Sequence, residues 1–549
     1  MKLSFIPLLF LVCAFPVTQR GLSPSPSPAM TSAQWQADID LLSDQLPRKH
    51  INVFHKISKA DFDQEVSELS RQVPNLTREQ IIAGIMRIVA SVGDGHTSVP
   101  IPALREQGFH ILPVRFYIYA DGIYIQGADR KYEKALGAKL ISLGNMSAHD
   151  AFLRVSEAVA RDNEMTLKDR VPYYMSIPEL LFGLGVTESP QRASMVVEKS
   201  GERFTMDLDA MVMPDVGYAV PILAAFSTDW LDDRPQDGSA APLWLVNTTK
   251  NYWMQFIPES NTLYVQYNRC RQDPNEPMAA FAKRLAQEIE NQPVEKLVLD
   301  LRLNSGGDGT LNKPLVLALI KADKINQKGK LFAIVGRRTF SAGQLLANEL
   351  EYYTNVTFVG EPTGAPPHFF GDEDTFVLPN SHLVVAYALA WWQNNIARDN
   401  RQWISPVIAA DLTEPEFAQN RDPSLEAIAS WVPVQAQLGR DLESASISDF
   451  PTIVDRHRND PSSRYLDFEA IVNEAGYGFL RHGATEKAIA LFQWDTKNYP
   501  DSANAFDSLG EAYLAAGKRE LAIESYRKAL AIRPDFRSSQ EALKKLQSQ

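Results

Sequence analysis

Thr339-Phe340-Ser341-Ala342-Gly343 follows an apolar run, Leu331-Phe332-Ala333-Ile334-Val335, and opens a segment of helical spacing over residues 344–353. A serine at the bend between a buried strand and a helix is held out of the sheet with its hydroxyl exposed. The amides of the first helical turn then point at whatever the serine attacks. This strand–bend–helix unit places Ser341 as the candidate nucleophile and predicts an α/β core around it.

Upstream lies Leu297-Val298-Leu299-Asp300-Leu301-Arg302-Leu303-Asn304-Ser305-Gly306-Gly307, which reads as a buried strand running out into a glycine pair. Glycine lets a backbone amide approach a reacting carbonyl without a side chain in the way. The amides of Gly306, Gly307 and Ala342 are therefore candidate oxyanion donors. A serine hydroxyl is a weak nucleophile until a base takes its proton. Of nine histidines, His96 is the candidate base, because Gly93-Asp94-Gly95-His96-Thr97 forms a tight glycine-flanked loop after a helical run. Loops on rigid scaffolds often present catalytic groups; the competing reading is a solvated loop histidine.

Around these segments, residues 246–415 alternate strand and helix patterns, which predicts an α/β core with a mainly parallel sheet. Residues 31–100 read as a helical N-terminal domain carrying the His96 loop. Trp35, Ile39, Leu42 and Leu46 share one helical face, and Thr77-Arg78-Glu79-Gln80 resembles a capping box. Residues 101–215 have short, strand-like periods, 216–245 form a Pro/Asp/Gly-rich connector, and 416–465 read as a linker. In the last region, 466–549, Gly476, Phe479, Gly483, Ala488, Phe492 and Pro500 recur 34 residues later as Gly510, Tyr513, Gly517, Ala522, Tyr526 and Pro534. That period, with small residues at contacts and aromatics in the gaps, is the tetratricopeptide signature and implies a protein partner.

The net charge of -12 comes without a long basic run, so no nucleic-acid partner is expected. Residues 1–21 read as a signal peptide: Lys2 precedes an uncharged, mostly apolar run over 3–17, too short for a comfortable membrane span. A Ser/Pro linker follows over 22–30. The expectation is an exported protein, periplasmic or secreted, from a bacterial host, with no stable membrane insertion. Removing the signal takes Cys13 and leaves Cys270 alone, so no disulfide framework is possible and Cys270 reads as a structural thiol. There is no H-E-x-x-H and no cysteine pair of ligand spacing, so neither a metal nor another cofactor is expected.

Taken together, the Asp94–His96 loop, Asp300 to Gly307 and Thr339 to Ala342 resemble, in this order, the tail-specific (C-terminal processing) serine protease family. In that family a strand ending in D-L-R-x-N-x-G-G supplies the oxyanion glycine, and a T-x-S-A segment supplies the nucleophile. Val359-Gly360-Glu361-Pro362-Thr363-Gly364 matches the family's next strand and loop. The resemblance implies a ClpP/crotonase-like α/β protease core, a helical N-domain and a PDZ-like β-rich insert over 101–215. The lysine dyad of one branch is not expected, because its G-K-G loop here reads Thr363-Gly364-Ala365-Pro366-Pro367, without lysine. The tricorn-type branch uses a histidine from a D-x-H loop, matched by Asp94-Gly95-His96; its second serine, just before the histidine, is replaced by Gly95. The family's acid falls nearly 60 residues after the serine, which points to Asp399, with Glu361 and Asp94 as alternatives. Asp399 equally suits a surface charge beside Arg398 and Arg401, and Asp94 suits a turn cap. The resemblance implies a serine-type peptidase acting on a polypeptide substrate through an acyl-enzyme.

Other readings of the residues stand beside it. Gly306-Gly307-Asp308-Gly309-Thr310 spells a phosphate-binding loop of the kind used by some kinases. Gly183-Leu184-Gly185-Val186 looks like a carboxylate-binding loop of peptide-binding modules, although a helix-ending glycine pair explains it better. The whole assembly also suits a non-catalytic peptide- or ligand-binding scaffold on the same fold.

Overall fold

The computed structural model describes residues 30–215, 223–235, 237–394 and 396–548. The signal segment and nearly all of the Ser/Pro linker, with residues 216–222 of the connector, lie outside the described residues. Among the described residues, no helix is long and apolar enough to cross a membrane.

The strand Leu331–Val335 is buried at every position, so it must be covered on both faces. It lies inside a six-stranded sheet, in spatial order Tyr252–Ile257, Thr262–Tyr267, Lys296–Asp300, Leu331–Val335, Thr357–Gly360 and Ile408–Ala409. The first pair is antiparallel and the remaining pairs are parallel. Side chains alternate between the two faces. Leu297, Leu299, Leu331, Ala333 and Val335 pack with Phe281, Leu285, Leu315 and Leu346 from the helices Met278–Asn291, Asn312–Lys321 and Ala342–Tyr353. Val298, Phe332 and Ile334 pack on the opposite face with Trp253, Ile428 and Trp431.

Ile428 and Trp431 belong to the stretch expected to be a linker, and the structure corrects that expectation. Residues 416–465 carry the helices Pro423–Ser430, Val434–Ser444 and Phe450–Arg458. The first covers the second face of the sheet, and Leu438, Leu442, Phe450 and Val454 join a core with Phe468, Ile471 and Trp494. A two-sided parallel sheet needs that cover. The connector also takes part: Trp230–Asp232 pairs with the strand Gly122–Asp129.

The N-terminal helices Ser32–Lys49 and Arg78–Ser91 each begin with a complete capping box, at Thr31 and Thr77. Their apolar faces share one core with the β-rich insert. The insert is a seven-stranded sheet built on the order Val114–Tyr119, Gly122–Asp129, Lys139–Leu143, Arg192–Lys199, Glu202–Asp209. A two-stranded ribbon, His368–Val377 with Val384–Gln393, leaves the α/β core and ends in that shared core through Leu378, Leu383 and Val385. The ribbon was not anticipated in the sequence. At its turn the buried carboxylate of Asp38 accepts from the Asn380 backbone N–H (2.9 Å), Asn380 Nδ2 (2.8 Å) and the Ser381 N–H (2.7 Å).

The C-terminal region is helical from Phe468–Arg481 through Arg537–Ser548. A Cβ on Gly476 would lie 2.4 Å from the Phe492 ring, and one on Gly510 would lie 2.7 Å from the Tyr526 ring. The same close approach of glycine to an aromatic therefore occurs in both sequence units.

Replacing Asp38 with Ala would strand the two backbone N–H groups at the ribbon turn. The expected loss is about 2–3 kcal/mol, read as a lower midpoint in urea unfolding. A midpoint equal to that of the parent protein would show that Asp38 does not anchor the ribbon.

Candidate active site

The nucleophile's bend is built from the strand end upward. Thr339 Oγ1 donates to the Leu301 carbonyl (2.9 Å) and accepts from the Gly336 N–H (3.1 Å). The Phe340 N–H donates to the Asn304 carbonyl (3.1 Å). These bonds tie the ends of two adjacent parallel strands together and leave Ser341 at the head of the helix Ala342–Tyr353. Ser341 has φ +52° and ψ -125°, a strained conformation for a residue with a Cβ, costing on the order of 1–3 kcal/mol. Gly306 is obligatory beside it: its φ is +109°, and a Cβ there would sit 2.6 Å from Ser341 Cβ.

Of the three expected oxyanion donors, one is otherwise engaged. The Gly306 N–H donates to Asn304 Oδ1 (3.0 Å). The N–H groups of Gly307 and Ala342 make no hydrogen bond among the described residues. The phosphate-loop reading fares worse: besides the Gly306 N–H, that of Asp308 is taken by the Cys270 carbonyl (2.7 Å). Cys270 itself is buried and its thiol is pushed up to about 12, chiefly by that burial, so it is inert. The Gly183–Val186 loop is a helix end. Its Gly185 and Val186 N–H groups are used by the Phe182 and Leu181 carbonyls.

His96 and Ser341 are brought together. The His96 Nε2 lies 3.1 Å from the Ser341 Oγ. The imidazole stacks on the rings of Phe340 (centroids 4.7 Å) and Phe369 (6.0 Å). Burial, then the charge of Arg170, lowers its pKa to about 4; the Asp94 charge and the Phe370 backbone offset this only in part. The ring is therefore neutral near pH 7 and able to accept the serine proton.

The loop bearing His96 is clamped at every residue. Asp94 Oδ1 accepts from the His96 N–H (2.9 Å) and the Thr97 N–H (2.8 Å). Asp94 Oδ2 faces His50 Nε2 at 3.0 Å. Since the Asn52 N–H donates to His50 Nδ1 (2.9 Å), the His50 proton resides on Nε2 and points at Asp94. Burial raises the Asp94 pKa, but the His50 hydrogen bond, with the loop's own hydrogen bonds, holds it below the ordinary value. The Gly95 N–H donates to Asp162 Oδ1 (2.8 Å), and its carbonyl accepts from Arg170 Nη1 (2.8 Å). Thr97 Oγ1 accepts from Ala388 N–H (3.2 Å), which ties the loop to the ribbon.

The expected acids are not at the ring. Asp399 accepts from Arg401 at 3.0 and 2.7 Å, and Arg401 also reaches Glu351 at 2.6 Å. Glu361 accepts from Arg337 Nε at 2.8 Å and from Arg337 Nη2. Arginine pairing holds each carboxylate where it is; among the described residues no carboxylate bonds His96 Nδ1, which makes no well-formed hydrogen bond and has only the Phe370 backbone close enough to favour its proton. Asp94 takes the turn-capping role. Sequence reading missed His50, Asp162 and Arg170. The tight loop signals a need for clamps, but nothing local to it names residues so far along the chain.

Ser341 and His96 open on a cleft of about 630 Å³, also lined by Gly307, Tyr173, Met213 and Glu373. That volume is ordinary for a ligand site.

No family profile and no curated protein matches the chain. Solved structures do resemble it. A crystal structure of a CPAF mutant aligns with a TM-score of 0.50 at 11% identity, covering 72% of this chain and 96% of that one. Mature CPAF complexed with lactacystin aligns at 0.49 and 12%, covering 72% and 97%. The photosystem II D1 C-terminal processing protease aligns at 0.35 and 14%, covering 72% and 96%. At such identities the likeness to CPAF establishes a shared fold and no more.

One electrostatic consequence is measurable. Burial, then the Asp94 charge, raises the Asp162 pKa to about 7, whereas an unfolded aspartate titrates near ~3.9. Between these values the folded state holds the extra proton, so stability falls as pH rises through this window. Asp162→Asn removes that dependence. The variant should gain about 2–4 kcal/mol relative to the parent between pH 4.5 and pH 8 (~3 pKa units), read from urea unfolding at both pH values. A parent–variant difference independent of pH would contradict the raised value.

Proposed function

We propose that this chain is an exported serine endopeptidase of the tail-specific type that hydrolyses peptide bonds through a Ser341 acyl-enzyme. The observation that carries this reading is the 3.1 Å contact between His96 Nε2 and Ser341 Oγ inside the cleft. His96 takes the Oγ proton as Ser341 attacks the scissile carbonyl, and the free N–H groups of Gly307 and Ala342 receive the oxyanion. His96 then protonates the leaving amine, and water hydrolyses the ester by the same route. The likeness of fold to CPAF supports the same reading, and the D-x-H loop favours the tricorn-type branch. The recurring glycine–aromatic contacts support tetratricopeptide repeats able to hold a protein partner, and the seven-stranded insert supports a PDZ-like module for the substrate chain. Export rests on the composition of residues 1–21.

A scaffold without catalysis is favoured by one observation: among the described residues no carboxylate bonds His96 Nδ1. The experiment separates the two. The purified chain should cut an unstructured polypeptide such as casein and react with a fluorophosphonate probe. Ser341→Ala should abolish both, and His96→Gln should lower cleavage by about 10³–10⁴-fold. Probe labelling that survives Ser341→Ala would exclude Ser341 as nucleophile. A parent chain that binds peptides but neither cuts nor labels would establish the scaffold.

A further inference from the structure

Asp162 Oδ2 is buried beside the loop that carries His96 and has no hydrogen-bond partner among the described residues. Asp162 meets the base loop one residue before His96, from the segment that precedes the helix Glu164–Tyr174. Asp162 Oδ1 holds the Gly95 N–H at 2.8 Å, and Oδ2 lies 3.0 Å from the point where a Cβ on Gly95 would stand. Gly95 is the residue immediately before His96. The same empty Cβ direction meets the Phe340 ring at 2.6 Å, and that ring stacks on His96. Asp162 is 7% exposed, so its charge acts across protein and not across water.

We propose that Asp162 is the carboxylate that supports His96, stabilising the imidazolium through space while it anchors the base loop through Gly95. Asp162 is thus a positioning and electrostatic residue, acting through His96 and touching no reacting atom. The proposal deepens the serine peptidase reading and rests on it.

Catalysis passes through an imidazolium, and His96 in its present surroundings resists that charge: burial and Arg170 both oppose it, and the Asp94 charge offsets them only in part. A neighbouring negative charge at low effective dielectric opposes that resistance without a direct bond. Asp399 and Glu361 are neutralised by arginines, and Asp94 spends one oxygen on two amides and the other on His50. Asp162 keeps a whole oxygen uncommitted. The charged and titratable groups acting on it are Asp94 on the loop, Arg170 from the helix Glu164–Tyr174 and Lys56 from the N-terminal region, with His96 next along the loop. Burial and Asp94 keep Asp162 protonated up to about pH 7. Support for His96 therefore switches on as Asp162 ionises, and the reaction should accelerate with pH through that value.

The test measures the rate at which a fluorophosphonate labels Ser341, as a function of pH, in the full chain. In that reaction Ser341 Oγ bonds to phosphorus, its proton passes to His96 Nε2 and fluoride leaves. The parent rate should rise through pH ~7 to a plateau. Asp162→Asn preserves the acceptor for the Gly95 N–H but removes the charge. The variant should lose the limb at pH ~7 and label about 10²-fold more slowly at pH 8. With a peptide substrate, kcat should fall by a similar factor and KM should stay within about 3-fold. A folded Asp162→Asn variant with the parent's rate and limb would overturn the assignment. So would a parent profile already flat from pH ~5 upward, a result that requires no variant. Absence of Ser341 labelling in the parent at any pH would instead remove the peptidase reading beneath it.

Discussion

The contact between His96 and Ser341 joins residues 245 positions apart, and it holds only while the loop 94–97 is pinned against both halves of the molecule. The nucleophile belongs to the α/β core, and the base belongs to the helical N-terminal region. Asp94 organises the loop from within, Asp162 and Arg170 grip Gly95 from the insert side, and Thr97 bonds the ribbon that leaves the core. The two N–H groups held by Asp38 at the far end of the ribbon serve the same end. Any motion that lifts the N-terminal region from the ribbon separates base from nucleophile. Mutations distant from Ser341 can therefore change the rate by altering this docking.

Electrostatically, the site is assembled against its own interest. A buried imidazole with a cation nearby resists protonation, and a buried carboxyl resists ionisation; each group opposes the charge that catalysis needs from it. Such opposition keeps both groups neutral at rest and raises the cost of forming the charges that catalysis needs. The φ of +52° at Ser341 belongs to the same pattern, since the bend keeps a strained residue where an ordinary helix start would relax it.

The sequence disclosed those parts of the site whose geometry is set within a few residues. Ser341 was legible because a five-residue apolar strand, a bend and a helix follow one another directly, whereas Gly306, expected as an oxyanion donor, gives its N–H to Asn304 and serves by leaving room beside the serine. His96 was legible as a tight loop after a helix, though its distance to Ser341 was not. The acid was not legible. Asp399 stands at a suitable separation along the chain, but Arg401 and Arg337 fix Asp399 and Glu361 elsewhere, and those pairings are tertiary facts. The helices between 416 and 465 were missed because Pro423, Pro433, Pro451 and Pro461 punctuate them and suggest a linker. Proline at or next to the first helical position is compatible with a helix, and these helices start there.

Phe340 shows why the base and nucleophile are better regarded as one unit. It directly precedes Ser341, its ring stacks on His96 and fills the space a side chain at 95 would need, and the Arg170 guanidinium lies 4.8 Å over the same ring. The residue that fixes the nucleophile's backbone therefore also packs against the base and beneath the cation that tunes it. A glycine at 95 follows from this arrangement: even a methyl group there would be driven into the Phe340 ring at 2.6 Å. Displacing that ring would disturb the imidazole, the serine bend and the Arg170 bond to Gly95 together. The loop's glycine is required by packing across the interface, not by a backbone angle of its own.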